Sequence, residues 1–178
     1  DALCGYPKEY TEEKRVPINE TVKGVHIQRI RYLQLDRKIK IGRLVNYFSF
    51  TFAAMLRIFK LAKYRCVITY SNPPVLPMVS VLANILFKTK FVFVAYDVYP
   101  EIAYASGNLR PGSLIDRCMK FLNCMMYKRV SKVVALTNEM REFLLLNRRM
   151  LSEDRIVTIP NWAHEEGEDE TVQLSSRV

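Results

Sequence analysis

The chain has 178 residues, 49% of them hydrophobic and 25% charged, which suits one domain with a sizeable core and leaves no comfortable room for two. Its formal charge of +9 comes from 27 basic against 18 acidic residues, and five of those acids crowd between Glu165 and Glu170, so the body before that tail is more basic than the total implies. Such a balance favours partners carrying phosphate or anionic lipid headgroups, with a solvated basic surface as the plain alternative.

The opening residues DALCGYP lack the basic stretch and apolar core of a signal peptide. Ala2 to Cys4, followed by Gly5-Tyr6-Pro7, read as the last residues of a strand running into a loop, so an earlier strand is expected ahead of them. Residues Pro7 to Lys23 are polar, contain Pro7 and Pro17 and show no period, which predicts a loop. Within it Asn19-Glu20-Thr21 matches a glycosylation sequon, a pattern frequent by chance. Val25 to Leu33 mixes β-branched and basic residues and predicts a strand near a sheet edge, where Arg29 and Arg31 reach water.

A long helix is expected from Ile41 to Ala62. Ile41, Leu44, Val45, Phe48, Phe52, Met55, Leu56, Phe59 and Ala62 follow the stripe that packs on a core. Tyr47, Phe50, Ala54 and Ile58 form a second apolar face, with Arg43, Arg57, Lys60, Lys63 and Arg65 towards the ends. A helix apolar on two sides is either sandwiched within the fold or meets a lipid surface, and in the second case Arg57, Lys60, Lys63 and Arg65 approach the headgroups. The longest uncharged runs, Leu44 to Leu56 and Ser71 to Phe87, fall short of the roughly 20 residues of a membrane-spanning helix.

Cys66 to Tyr70 predicts a short buried strand that runs into Ser71-Asn72-Pro73-Pro74, where two prolines stop the strand ahead of a helix over Val75 to Phe87. Ser71 and Asn72 then stand at a strand end facing a helix start, a place that suits an anion, although capping alone explains them equally well. Phe91 to Ala95 is an uncharged β-branched and aromatic run, a strand buried on both faces, and it stops at Asp97 with Tyr99, Pro100 and Glu101 following. Parallel sheets hold ligands beyond the carboxyl ends of their strands, so Asp97 is either a site carboxylate or a turn cap. After a loop over Ala103 to Pro111, Ser113 and Asp116 open a helix from Leu114 to about Arg129 with a Leu114, Cys118, Phe121, Leu122, Met125 stripe expected to fill the core. Val133 to Leu136 is the next strand; Thr137 or Asn138 caps a helix to about Leu146, and Ile156 to Ile159 is the last strand before Pro160-Asn161-Trp162. From residue 163 the chain is acidic and aperiodic, a tail or linker beyond a domain of residues 1 to 162.

This alternation predicts an α/β fold, a Rossmann-like parallel sheet with right-handed crossovers and helices on both faces. Cys4, Cys66, Cys118 and Cys124 lack metal-ligand spacing and are expected to be buried thiols in a reducing compartment, while His26 and His164 have no Ser or Cys pattern around them. Neither G-x-G-x-x-G nor G-x-x-x-x-G-K-S/T occurs, which removes the main support for a dinucleotide dehydrogenase or a P-loop NTPase. Without an RNA-recognition signature or helix-turn-helix spacing, charge alone does not make nucleic acid a partner.

The order of Tyr70-Ser71-Asn72-Pro73-Pro74, FVFVAYDVYPE, Val134-Ala135-Leu136-Thr137 with Asn138-Glu139-Met140-Arg141, and IVTIPNW resembles that of bacterial family 4 glycosyltransferases, over the amino-terminal half of their GT-B fold. The resemblance implies transfer of a hexosyl or N-acetylhexosaminyl group from a nucleotide-diphosphate sugar to an acceptor, with retention and without metal or cofactor. It implies that Asp97 contacts the acceptor or reacting sugar, that Tyr96 and Glu101 belong to the same motif, that Ser71 and Asn72 line the cleft, and that Asn161 with Trp162 marks the crossing to a donor-binding domain. The family's first strand with its glycine loop, and its second domain with a basic pair and paired glutamates, have no counterpart in these residues, so catalysis by them alone is not expected. Family members often build surface polysaccharides on lipid-linked acceptors at the cytoplasmic face of the plasma membrane, which suits a basic domain with a doubly apolar helix. The competing expectation is a non-catalytic subunit of the same fold that binds a glycan or the membrane.

Overall fold

The structure, a computed structural model, describes residues 1–6, 16–36 and 38–161; the segment from Trp162 through the acidic stretch lies outside the described residues. In chain order the elements are β1 (Ala2–Gly5), β2 (Asn19–Val22), β3 (Val25–Ile30), α1 (Lys40–Met55), a 3-10 segment (Ile58–Lys63), β4 (Cys66–Tyr70), α2 (Pro77–Phe87), β5 (Lys90–Ala95), α3 (Glu101–Ala105), α4 (Leu114–Arg129), β6 (Lys132–Ala135), α5 (Asn138–Asn147) and β7 (Ile156–Thr158). The fold is α/β and Rossmann-like: β4, β5, β6 and β7 form an all-parallel sheet in that order, flanked by helices. β1, β3 and β2 form a separate three-stranded sheet among the described residues, with β1 parallel and β2 antiparallel to β3.

The small sheet corrects two expectations. Residues 19–22 are a strand, not loop, because Lys23 and Gly24 both take positive φ (49° and 81°) and close a two-residue hairpin onto β3. β3 is the middle strand, not an edge. Its arginine is satisfied by protein: the Arg29 guanidinium donates to Glu20 across the hairpin and to the Pro17 carbonyl (2.7 Å).

α1 is shorter than expected, ending at Met55, and its faces are reversed. The stripe expected to pack on the core points outwards: Ile41, Leu44, Phe48, Phe52, Leu56 and Phe59 are all exposed. The buried positions are Gly42, Asn46, Thr51 and Ala54. Asn46 explains the choice, since its side chain donates to the Leu35 carbonyl (2.9 Å) and accepts from the Leu35 N–H (2.7 Å). A Cβ at Gly42 would collide with the Asp36 carbonyl oxygen. Small and amide-bearing residues thus let the helix lie against 33–36, which no leucine or phenylalanine in their place allows.

The core of the parallel sheet is one cluster. Phe91, Phe93, Ala95, Val133, Ala135 and Ile156 project to one face and pack with Val81 of α2, Met126 and Tyr127 of α4 and Leu144 of α5. Strands laid down in one direction with right-handed crossovers put all three helices over that face. Coverage of the two faces is unequal: in the alternate set Ile68 and Val157 are exposed and Val92, Val94 and Val134 half-buried. Among the described residues β4 pairs on one side only, an edge strand and not the buried strand expected, with Ile68 62% exposed.

α2 starts two residues later than predicted, at Pro77, which tolerates the first helical position because no N–H is needed there. α3 occupies the start of the expected loop. α4 has the predicted bounds and its predicted cap, the Asp116 N–H donating to Ser113 Oγ (3.3 Å). Its stripe is again turned out: Leu114, Cys118 and Phe121 are exposed, and Met126 and Tyr127 face in. Asp116, buried at the start of α4, accepts from Tyr104 Oη, the Gly112 N–H (2.7 Å) and Lys120 Nζ (3.0 Å). The Tyr104 hydrogen bond, ahead of the other contacts, holds that carboxyl below the usual carboxylate range. The cysteines are not buried thiols: Cys66, Cys118 and Cys124 are exposed and Cys4 half-buried, because the runs that contain them lie at an edge or on an outer face.

Candidate functional site at the carboxyl edge of the parallel sheet

β4 to β7 end abreast at residues 70, 95, 135 and 158, and the expected site residues gather at that edge. Ser71 follows β4 and is buried. Its N–H donates to the Val94 carbonyl (3.2 Å), and its Oγ accepts from both the Tyr96 and the Asp97 N–H (3.1 and 2.9 Å). Ser71 thus clamps the turn after β5, which makes it a positioning residue with its oxygen already engaged. Ser71→Ala is expected to lower stability by about 1–3 kcal/mol, the cost of stranding buried N–H groups, measured by urea unfolding; a variant as stable as the wild type would show that the turn holds without the hydroxyl.

Asp97 itself is half-buried and lines a small cavity with Ser71, Phe93, Tyr99 and Tyr127. That cavity is about 10 Å³, room for no more than a single water, so any larger ligand would sit above it. Among the described residues no group hydrogen-bonds or ion-pairs with the Asp97 carboxylate. Its charge is felt by Tyr99, whose hydroxyl is pushed up first by burial and then by Asp97 and Tyr47, with Arg43 opposing. Those last two residues lie on α1.

Tyr96 is half in solvent, and its ring stands 5.7 Å from that of Tyr70, also exposed. The pair forms an aromatic shelf beside Asp97. Tyr70 closes the strand CVITY, where alternation alone gave it no function. Asn72 is exposed, between the Ser71 clamp and a cis peptide bond to Pro73; a second cis bond joins Tyr99 to Pro100.

Glu101 is engaged. Its carboxylate accepts from Arg148 Nη2 (2.7 Å), which also donates to the Tyr99 carbonyl (3.1 Å); Asn123 Nδ2 donates to that same carbonyl (2.6 Å). The Arg148 guanidinium lies 5.8 Å from the centre of the Tyr127 ring. Tyr127 is buried and its hydroxyl is pushed up to about 12, burial outweighing the opposing charge of Arg148. Arg148, at the end of α5, escaped the sequence reading because Asn147-Arg148-Arg149 looks like any solvated helix end. Asn161 is exposed and follows β7 on the same edge, two strands from Asp97 and so about 10 Å across.

The basic residues do not join this site. Lys63 and Arg65 precede β4 at the opposite edge of the sheet. Lys63 pairs with Asp1 (3.3 Å), Lys60 donates to Gln28 Oε1 (3.2 Å) and Arg65 is exposed. Arg57 is half-buried and folds back to donate to the Ala53 carbonyl of its own helix (2.8 Å). A larger hollow of about 680 Å³ lies beside Tyr6, Ile18, Arg31 and Tyr32, away from every expected site residue. Among the described residues no cluster of His, Cys, Asp and Glu could hold a metal ion, and no helix is long and apolar enough to cross a membrane. Comparison with protein-family models finds no match to this chain, and a search of curated proteins finds none either.

Proposed function

We propose that this chain is the acceptor-binding half of a retaining glycosyltransferase. It takes a glycan acceptor, lipid-linked in the assembly of a surface polysaccharide, while a nucleotide-sugar donor is held by a second domain on the same or another chain. The observation that carries the reading is the Asp97 carboxylate, half-buried, without a partner among the described residues, and beside the Tyr70 and Tyr96 rings at the carboxyl edge of a parallel sheet. A half-buried acid without a partner is costly unless it has a ligand to meet. Aromatic rings next to it offer the apolar faces of a sugar a surface while the carboxylate accepts from a hydroxyl. In that role Asp97 orients the acceptor hydroxyl and draws on its proton as its oxygen bonds to the anomeric carbon and the nucleoside diphosphate leaves. Ser71 and Arg148 hold the turn that carries Asp97, and Asn72 and Asn161 flank it. The site works at the cytoplasmic face of the plasma membrane, where a lipid-linked acceptor presents its glycan.

The test is transfer of radiolabelled sugar from a panel of nucleotide sugars to a membrane lipid extract, by the full-length protein with and without Asp97→Asn. A loss of at least about a hundredfold in transfer is expected, since the isosteric amide keeps the shape and removes the base. Transfer unchanged by the substitution would move the chemistry away from this edge. A second reading, a non-catalytic subunit that delivers a catalytic partner to glycan or membrane, draws on the engagement of Glu101 by Arg148 and of Ser71 by backbone, which leaves Asp97 as the one unengaged acid at this edge among the described residues. Glycan binding without transfer from any donor would favour it.

A further inference from the structure

We propose that the outward face of α1 and the 3-10 segment after it is a docking surface for an anionic lipid bilayer, lying flat along the headgroup boundary. This deepens the reading above by naming the surface that meets the membrane, and it is tested by binding alone, so its failure and a failure of sugar transfer are read separately.

Ile41, Leu44, Phe48, Phe52, Leu56 and Phe59 make one ridge, each between 51% and 76% exposed. Single exposed apolar residues are ordinary, but a continuous ridge of them marks a contact. From Ile41 to Leu56 it runs about 23 Å at 1.5 Å per residue. The opposite face of α1 is already committed, through Asn46, Gly42 and Ala54, to the rest of the domain.

Charge decides among occupants. Between Asp36 and Asp97 the sequence has ten basic residues and no acidic one. Exposed cations stand at both ends of the ridge: Lys38 and Lys40 before it, and after it Arg65 with Lys60 and Lys63, whose ammonium groups also reach Gln28 and Asp1. A second copy docked on the ridge about a two-fold axis would set basic end against basic end. An anionic leaflet satisfies both parts, acyl chains meeting the phenylalanines and headgroup phosphates meeting the lysines.

Sedimentation with phosphatidylcholine vesicles, with and without phosphatidylglycerol, tests this on the full chain. Binding is expected to the anionic vesicles and to weaken with salt. Phe48→Ser with Phe52→Ser is expected to lower the partition coefficient at least about tenfold, and Lys60→Gln and Lys63→Gln about fivefold each. Both phenylalanines are exposed, so circular dichroism melts should match the wild type. Independently, Phe52→Trp in a Trp162→Phe background is expected to shift its emission to the blue on anionic vesicles and not on neutral ones. Equal, negligible binding to both vesicle types, ridge variants that bind like the wild type, or a dimer that the ridge variants break with no vesicle binding would each overturn the proposal.

Discussion

Phe91→Ala is expected to lower the free energy of unfolding by about 3–5 kcal/mol, the largest single loss available in this domain. Phe91 is fully buried at the start of β5, between the strands that carry Val67 and Val133, and belongs to the cluster that joins the sheet to α2, α4 and α5. Its carbonyl also accepts from the Ser131 N–H (2.9 Å), so the backbone there is pinned and cannot close the hole by sliding. The cost is transfer of the ring plus the cavity it leaves, which is why Phe91→Leu should cost less than half as much. Urea unfolding monitored by circular dichroism measures both. A loss under about 1 kcal/mol for the alanine variant would mean that the three helices can settle onto the sheet without the ring.

The second large effect is expected at Arg148. Its side chain is 14% exposed and that of Glu101 33%, so the pair lies between two limits. Exposed pairs contribute about 0–1 kcal/mol, and breaking a fully buried pair costs about 3–5 kcal/mol. About 2 kcal/mol is the expected loss for Arg148→Ala, because Glu101 can still find water while the Tyr99 carbonyl keeps Asn123. A double-mutant cycle with Glu101→Ala isolates the pair, with a coupling of about 1 kcal/mol expected. Because the same guanidinium holds the Tyr99 carbonyl, Arg148→Ala should also loosen the turn between Asp97 and Glu101, visible as faster amide exchange there. Arg148→Lys should restore part of the stability and little of that order, since one ammonium cannot serve two acceptors with the same fork. Unchanged exchange in Arg148→Ala would assign the pair to stability alone.

The parts of this fold legible in the sequence are those set by local chemistry. Proline and glycine punctuation, Ser113 and Thr137 as caps, and the apolar run at Phe91 fix the strands and helices from Cys66 to Thr158, the short α3 excepted, to within about two residues. The faces were not legible in the same way. α1 has two apolar sides, and hydrophobicity cannot rank them; what turns Phe48 and Phe52 outwards is the pair of bonds from Asn46 to Leu35 and the contact at Gly42, both with a segment lacking regular structure. α4 fails likewise, since Asp116 takes an inward position by virtue of Tyr104 and Gly112, which no period announces. At the site, Asp97, Ser71 and Asn72 could be found because they end strands. Arg148 could not, because its partner lies 47 residues earlier in sequence and is brought to it only by the packing of α5.

The parallel sheet has a further consequence for how the chain is made. Its spatial order is its chain order, and no strand pairing in it bridges more than 40 residues, the separation shared by every pair of β5 with β6 from Val92–Lys132 to Ala95–Ala135. Loop-closure entropy therefore stays small at every step. Each strand finds its neighbour already synthesised, so the sheet can grow one βα unit at a time, from β4 through to β7, as the polypeptide emerges from the ribosome.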